Sequence, residues 1–188
     1  LLSTPDLQCH YNVTNCLMSS STANEHRKKA SQWGPVSVAV VTVSDTRTRE
    51  TDKSGNYLCE QITATDNFLH SAQILADEPG ELEAVLDELA ASDVQVILFN
   101  GGTGISSRDT TFDLLNHKLE KTLPGFGEIF RALSYKEIGP PAMMSRATAG
   151  VYRGKVIIST PGSPAAVRLA WEQLLSSELK HLAWEVVR

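Results

Sequence analysis

Hydrophobic positions fall into two alternating periods from Val36 onward. Val36 to Val43 is a near-continuous β-branched run, the pattern of a strand buried on both faces. Ser54 to Thr65 then carries Tyr57, Leu58, Gln61 and Ile62 at helical spacing. Ser71 to Ala76 reads as a second strand. Pro79 and Gly80 open a helix with Leu82, Val85, Leu86 and Leu89 on one face, and proline suits a first helical turn. Val94 to Phe99 is a third strand. Thr110 to Leu119 is helical, with Phe112, Leu115 and Leu119 inward, and another helix follows Pro124. Val151 to Ile158 reads as a short strand, a tight turn and a core strand. A last helix runs from Pro164 to Leu175, and Leu179 to Val187 extends or follows it. Strands separated by helices imply βαβ units with right-handed crossovers. The expected fold is a three-layer α/β/α domain with a mostly parallel sheet.

Residues 1–34 lack this periodicity. They hold Ser19, Ser20, Ser21 and Thr22, then a charged cluster from Glu25 to Lys29. No basic start leads into an apolar stretch, so the segment does not read as a secretory signal. It is expected to be a mobile tail, with Met18 an alternative start, and residues 35–188 are expected to form the domain. With 188 residues, 41% of them apolar, the chain has enough material for one buried core. The net charge of −5 argues against a nucleic-acid binder held by phosphate contacts. No apolar run is long enough to span a membrane. Cys9, Cys16 and Cys59 give neither a disulfide framework nor a zinc pattern, and the five histidines are scattered without ligand spacing. A reducing, cytoplasmic compartment is the expectation.

The unusual residues follow the strands at their carboxyl ends. Ser44, Asp45 and Thr46 follow the first, and Asp77 and Glu78 the second. Asn100 to Gly104 follow the third and lead to Arg108 and Asp109. Thr160 to Pro164 follow the last. Ligands of open parallel sheets bind outside these ends. Gly101, Gly102, Thr103 and Gly104 can form an anion nest of backbone amides, or simply a tight strand-to-helix turn. The run matches neither a Walker loop nor G-x-G-x-x-G, and no G-x-S-x-G is present. Asp109 suits a helix N-cap and Asp77 a turn. Together, beside an anion nest, they suit a magnesium-assisted phosphate site. Asp45 and Asp52, in a polar loop expected to be solvated, are weaker candidates. Phe126, in the rigid turn Pro124 to Glu128, is packing or a ligand platform. Arg131, Ser145 and Arg146 can supply positive charge and polarity to an anion.

These motifs occur together in a known order. Thr42-Val43-Ser44, Asp52-x-Ser54-Gly55, Gly101-Gly102-Thr103-Gly104, Arg108-Asp109, Pro124-Gly125-Phe126-Gly127-Glu128, Phe130-Arg131, Ser145-Arg146 and Pro161-Gly162-Ser163-Pro164 follow one another. The chain resembles the MoaB/Mog family of molybdenum-cofactor biosynthesis from Val36 to Leu175. Leu133-Ser134, Glu137-Ile138-Gly139 and Ala170-Trp171-Glu172 look closer to the MoaB branch. The resemblance implies a molybdopterin-binding domain, trimeric in most members and hexameric in some. It implies transfer of AMP from Mg-ATP to the terminal phosphate of molybdopterin, with release of pyrophosphate. The product would pass to a molybdate-insertion enzyme. The family's acidic residues match Asp77 and Asp109, which would hold Mg²⁺. Its ligand-binding segments match Ser44, Ser54, Gly55, Gly101 to Gly104, Gly125, Phe126, Glu128, Ser145, Arg146, Pro161, Gly162 and Ser163. Phe112 stands where the family commonly has proline. The alternative reading is a non-catalytic molybdopterin carrier on the same fold. An oligomeric scaffold, as in larger eukaryotic relatives, is a third.

Overall fold

The structure, a computed structural model, describes residues 24–188. Six strands form one sheet in the order β2-β1-β3-β6-β5-β4. They are β1 (Ser37–Val43), β2 (Phe68–Leu75), β3 (Val96–Asn100), β4 (Lys121–Thr122), β5 (Thr148–Tyr152) and β6 (Lys155–Thr160). The first four in that order run parallel, and β5 and β4 close the sheet antiparallel. The β5–β6 hairpin turns at Arg153 and Gly154, both at positive φ, as a short hairpin turn requires.

The central strands show why an unbroken apolar run is needed. Val38 and Val40 of β1, Leu98 of β3 and Ile158 of β6 face one core. Ala39 and Val41, Ile97 and Phe99, and Ile157 face the other. Successive side chains point to opposite faces, so both sides of each strand must be apolar. Helices α3 (Pro79–Ala91) and α4 (Thr111–Lys118) cover the second face through Leu82, Leu86, Leu89 and Leu115. Helices α2 (Lys53–Ala64), α5 (Pro124–Ile138), α6 (Pro164–Ala170) and α7 (Ser176–Val187) cover the first. A 3₁₀ turn, Pro140–Met144, follows α5.

A π-helical turn, Trp171–Leu175, joins α6 to α7 without a break. Trp171, Leu175, Leu179 and Ala183 are all buried at a spacing of four. That spacing drifts around a helix of 3.6 residues per turn, and the wider turn absorbs part of the drift.

The domain begins earlier than the hydrophobic pattern implies. Residues 24–31 form a helix, here α1. Ala30 is 1% exposed, and Trp33 packs against the first core. Residues 24–34 are therefore part of the folded unit and not tail. One turn of apolar contact made by two residues leaves no periodicity to read. The rest of the expected tail, with Cys9, Cys16 and Met18, lies outside the described residues. Cys59 is a free, half-buried thiol, pushed up from its ordinary pKa by burial and by the Asp52 carboxylate.

Docking of α1 has a measurable consequence. A chain beginning at Pro35 should melt about 3–8 °C below one beginning at Asn24, because the lost packing of Ala30 and Trp33 is on the order of 1–3 kcal/mol. Differential scanning calorimetry of the two truncations checks it.

Candidate functional site

Four strand ends bring the singled-out residues to one edge of the sheet. The turn after β3 is shaped by backbone needs. Gly101 has φ +110°, and a methyl group there would lie 2.2 Å from the Val43 carbonyl oxygen. Its amide donates to Thr160 O at 3.0 Å, so Gly101 is a packing glycine with its amide spent. Gly102 has φ +61°, and a methyl group there would lie 2.1 Å from Thr111 Oγ1 and 2.6 Å from Asp77 Oδ2. Among the described residues no protein acceptor takes the amides of Gly102, Thr103 or Gly104. These three N–H groups are left open, as an anion nest would need.

Asp77 and Asp109 have different surroundings. Asp77 Oδ1 accepts from Thr110 Oγ1 at 2.8 Å, Thr111 Oγ1 at 3.0 Å and Thr110 N at 3.2 Å. It sits at the start of α4, where a negative charge offsets the helix dipole. Asp109 Oδ2 accepts from Ser106 N at 3.0 Å and closes a four-residue loop. Of the roles open to Asp109, capping therefore falls to Asp77, reaching across from β2. A methyl group at Gly104 would press within 2.9 Å of the Asp109 carboxylate, so glycine leaves that carboxylate room. Among the described residues, Asp109 Oδ1 has no hydrogen-bond partner.

The loop after β1 builds a floor. Ser44 Oγ accepts the amides of Thr46 and Arg47. Ser54 Oγ and Arg47 Nη2 both donate to Gly162 O, at 2.8 and 2.7 Å. Asp52 was expected to be solvated. It is 4% exposed and caps α2, accepting from Gly55 N at 2.9 Å and pairing with Arg47. Gly55 is obligatory beside it, since a methyl group would lie 2.2 Å from Asp52 Oδ2. Asp45 pairs with Arg108 and accepts the Asp77 amide. Arg47 carried no signal in the sequence, yet it links this floor to the loop after β6.

Two clefts open above the floor. One, of about 340 Å³, lies between Gly102, Thr103, Gly104 and Asp109 on one side and Pro161, Gly162 and Ser163 on the other. Its apolar wall is Phe130, Ile138, Ala142 and Met144, a wall the motifs did not mark. The second, of about 390 Å³, is lined by Phe112, Asn116, Glu128, Arg131 and Arg146. Ser145 lines both clefts, and its buried Oγ has no hydrogen-bond partner. Phe126 packs on Phe130 with ring centroids 6.4 Å apart and joins the first core, so of its two readings packing holds. Gly125 is exposed in the turn that starts α5.

Arg146 was expected to meet an anion. Its guanidinium instead donates to the carbonyls of Thr103 (3.2 Å), Asp109 (3.0 Å) and Gly104. It also pairs with Asp113 at 2.9 Å and stacks 4.7 Å from the Phe112 ring centroid. The planar fork fixes the Thr103 and Gly104 carbonyls, and the Thr103 carbonyl shares its peptide with the Gly104 amide. Phe112, the departure from the family pattern, is the platform for that fork. Arg131 similarly donates to Ser145 O at 3.3 Å.

A sheet-edge cleft with open amides, a partly free carboxylate and an apolar wall defines a binding domain for a ligand with both an anionic and a ring-like part. Residues 39–181 match the family described as a probable molybdopterin binding domain. Molybdenum cofactor biosynthesis protein B of Halalkalibacterium halodurans is 44% identical over 169 residues, covering 89% of this chain and 98% of its own. The protein of that name from Bacillus subtilis is 44% identical over 167 residues, covering 88% and 97%. A crystal structure of molybdenum cofactor biosynthesis protein B superposes with a TM-score of 0.77 at 45% identity, covering 81% of this chain and 96% of that one. The tungsten cofactor synthesizing protein MoaB from Pyrococcus furiosus gives 0.74 at 34% identity, covering 82% and 98%. The chain belongs to the MoaB/Mog family of molybdenum-cofactor biosynthesis proteins, with a molybdopterin-binding domain. No helix among its described residues is long and apolar enough to cross a membrane.

Two substitutions probe the turn. Gly102→Ala should destabilise the fold by about 1–3 kcal/mol in urea titration, from strain at positive φ and displacement of the Asp77–Thr111 contact. Arg146→Lys, which cannot serve three carbonyls from one plane, should speed amide exchange over residues 102–109 by about tenfold with little change in global melting.

Proposed function

We propose that the chain transfers AMP from Mg-ATP to the terminal phosphate of molybdopterin. An oxygen of that phosphate attacks the α-phosphorus of ATP. The new P–O bond forms as the bond to the β-phosphate oxygen breaks, and pyrophosphate leaves. The observation that carries this reading is the pair of clefts meeting at Ser145, one lined by open amides and Asp109. Two anions must lie side by side for this reaction, and most of the rate comes from holding them aligned with their charge screened. The amides of Gly102, Thr103 and Gly104 hold one phosphate. The unpartnered Ser145 hydroxyl serves a group at the boundary of the clefts. Asp109 Oδ1 is a hard oxygen donor with no competing proton donor, which suits Mg²⁺. Mg²⁺ held there supplies charge screening when it arrives with the nucleotide. Asp77 acts as a positioning residue, because its Oδ1 is spent on Thr110 and Thr111.

The family resemblance also supports assembly as a trimer and hand-over of the product to a molybdate-insertion enzyme. Ile129, Tyr135, Ile138 and Met143 are all more than half exposed on α5 and the 3₁₀ turn, apolar area that a neighbouring copy would cover. Light scattering at micromolar concentration should return three times the chain mass, and a monomer mass would remove the assembly.

Pyrophosphate release in the presence of molybdopterin and Mg-ATP tests the reaction. Asp109→Asn should lower the transfer rate at least about 100-fold, the scale for one preorganised group at a charged transition state. Folding should survive, since the asparagine oxygen can still accept from Ser106 N. Molybdopterin affinity should change little. Binding of molybdopterin with no pyrophosphate released by the unaltered protein would make it a carrier.

A further inference from the structure

Outside the lining of the clefts, α1 and α7 bring His26 to two side chains more than 150 positions away. His26 Nδ1 lies 2.9 Å from Glu185 Oε1, and His181 Nε2 lies 3.5 Å from the same oxygen. All three donor atoms fall within 4.8 Å of one another, and all three residues are half-buried. We propose that His26, His181 and Glu185 form a binding site for one divalent transition-metal ion of the zinc class, which clasps α1 onto α7.

The local hydrogen bonding leaves a place for a cation. His181 Nδ1 lies 2.9 Å from Glu178 Oε2, so both ring nitrogens face carboxylate oxygens, which only accept. A neutral imidazole has one N–H to give. Given to Glu178 at the shorter distance, it leaves the Nε2 lone pair facing Glu185 Oε1. Two lone pairs so placed repel unless a second ring proton or a metal ion lies between them. Glu178 thereby plays the part of the carboxylate that orients a metal-bound histidine from behind. It is itself paired with Arg27.

The geometry and donor types point to zinc. Metal–ligand bonds of about 2.0–2.1 Å set ligand atoms of a tetrahedral site roughly 3.3 Å apart. The observed 2.9 and 3.5 Å bracket that value. The Arg188 Nε donates to Glu185 Oε2, which leaves Oε1 for the site. The His26 ring is held edge-on to Trp184, with centroids 5.5 Å apart. Two imidazoles and one carboxylate favour Zn²⁺ over Mg²⁺ or Ca²⁺. Three protein ligands leave the fourth position to water.

The test uses the full chain, stripped with chelator and dialysed, then titrated with ZnCl₂ by calorimetry. One ion per chain should bind, and melting should rise by about 5 °C or more at free Zn²⁺ roughly 100-fold above Kd. MgCl₂ should leave melting unchanged. His26→Gln and His181→Gln should each weaken Zn²⁺ binding by at least about 100-fold, and Glu178→Gln by about tenfold. Both histidine variants are compared for metal-free melting, so that if one fails to fold the other decides. Cys9, His10 and Cys16 also carry donor atoms, so Cys9→Ser/His10→Gln/Cys16→Ser is titrated alongside and should bind Zn²⁺ unchanged. No Zn²⁺-dependent melting shift in the unaltered chain overturns the proposal. So does unchanged affinity in the histidine variants, or affinity lost with Cys9, His10 and Cys16.

Discussion

The Asp77 carboxylate sits where three pieces of backbone meet: the end of β2, the glycine turn after β3 and the start of α4. It accepts from two hydroxyls and one amide of α4, and hydrogen bonds to a charged group are worth about 1.5–3 kcal/mol each. Gly102 must be glycine because Asp77 and Thr111 occupy the space where its side chain would be. The shape of the glycine turn is thus tied to the half-buried carboxylate behind it.

Arg146 sets the other side of the turn. Three carbonyls converge on one guanidinium, and a peptide whose carbonyl is held points its N–H the opposite way. A cation that looks suited to binding an anion directly is spent on backbone carbonyls, of which Thr103's shares its peptide with one open amide, that of Gly104. This costs the site a free charge and gains a fixed loop backbone. Phe112 is compatible with the arrangement because an aromatic face supports the guanidinium from below.

The β-branched run of β1, the proline-led helices and the glycine-rich turns are local signals, and they predicted the layers and the mostly parallel sheet that the structure shows. The motif set also carried the family, because its members occur together in a fixed order. What the sequence could not show are choices between partners. Asp109 reads as a cap and Asp77 as a turn residue. Only the chain path brings Asp77 to α4 and leaves Asp109 to the cleft. Asp52 reads as solvated in a run of polar residues, yet Arg47 and the α2 amides bury it.

The two ends of the domain make the same point. Nothing in residues 24–34 has a period, and His26, His181 and Glu185 show no metal spacing when histidines alone are considered. Their meeting requires α7 to continue past its π turn and α1 to fold back on it. Hydrophobic periodicity and turn chemistry act within a few residues, so the sequence by itself determined the elements, the layers and the sheet edge at which the motif residues gather. Hydrogen bonds and charge pairs between distant segments depend on where the packed layers bring them. The tertiary structure alone therefore decided which carboxylate caps, which arginine clamps and where α1 ends up.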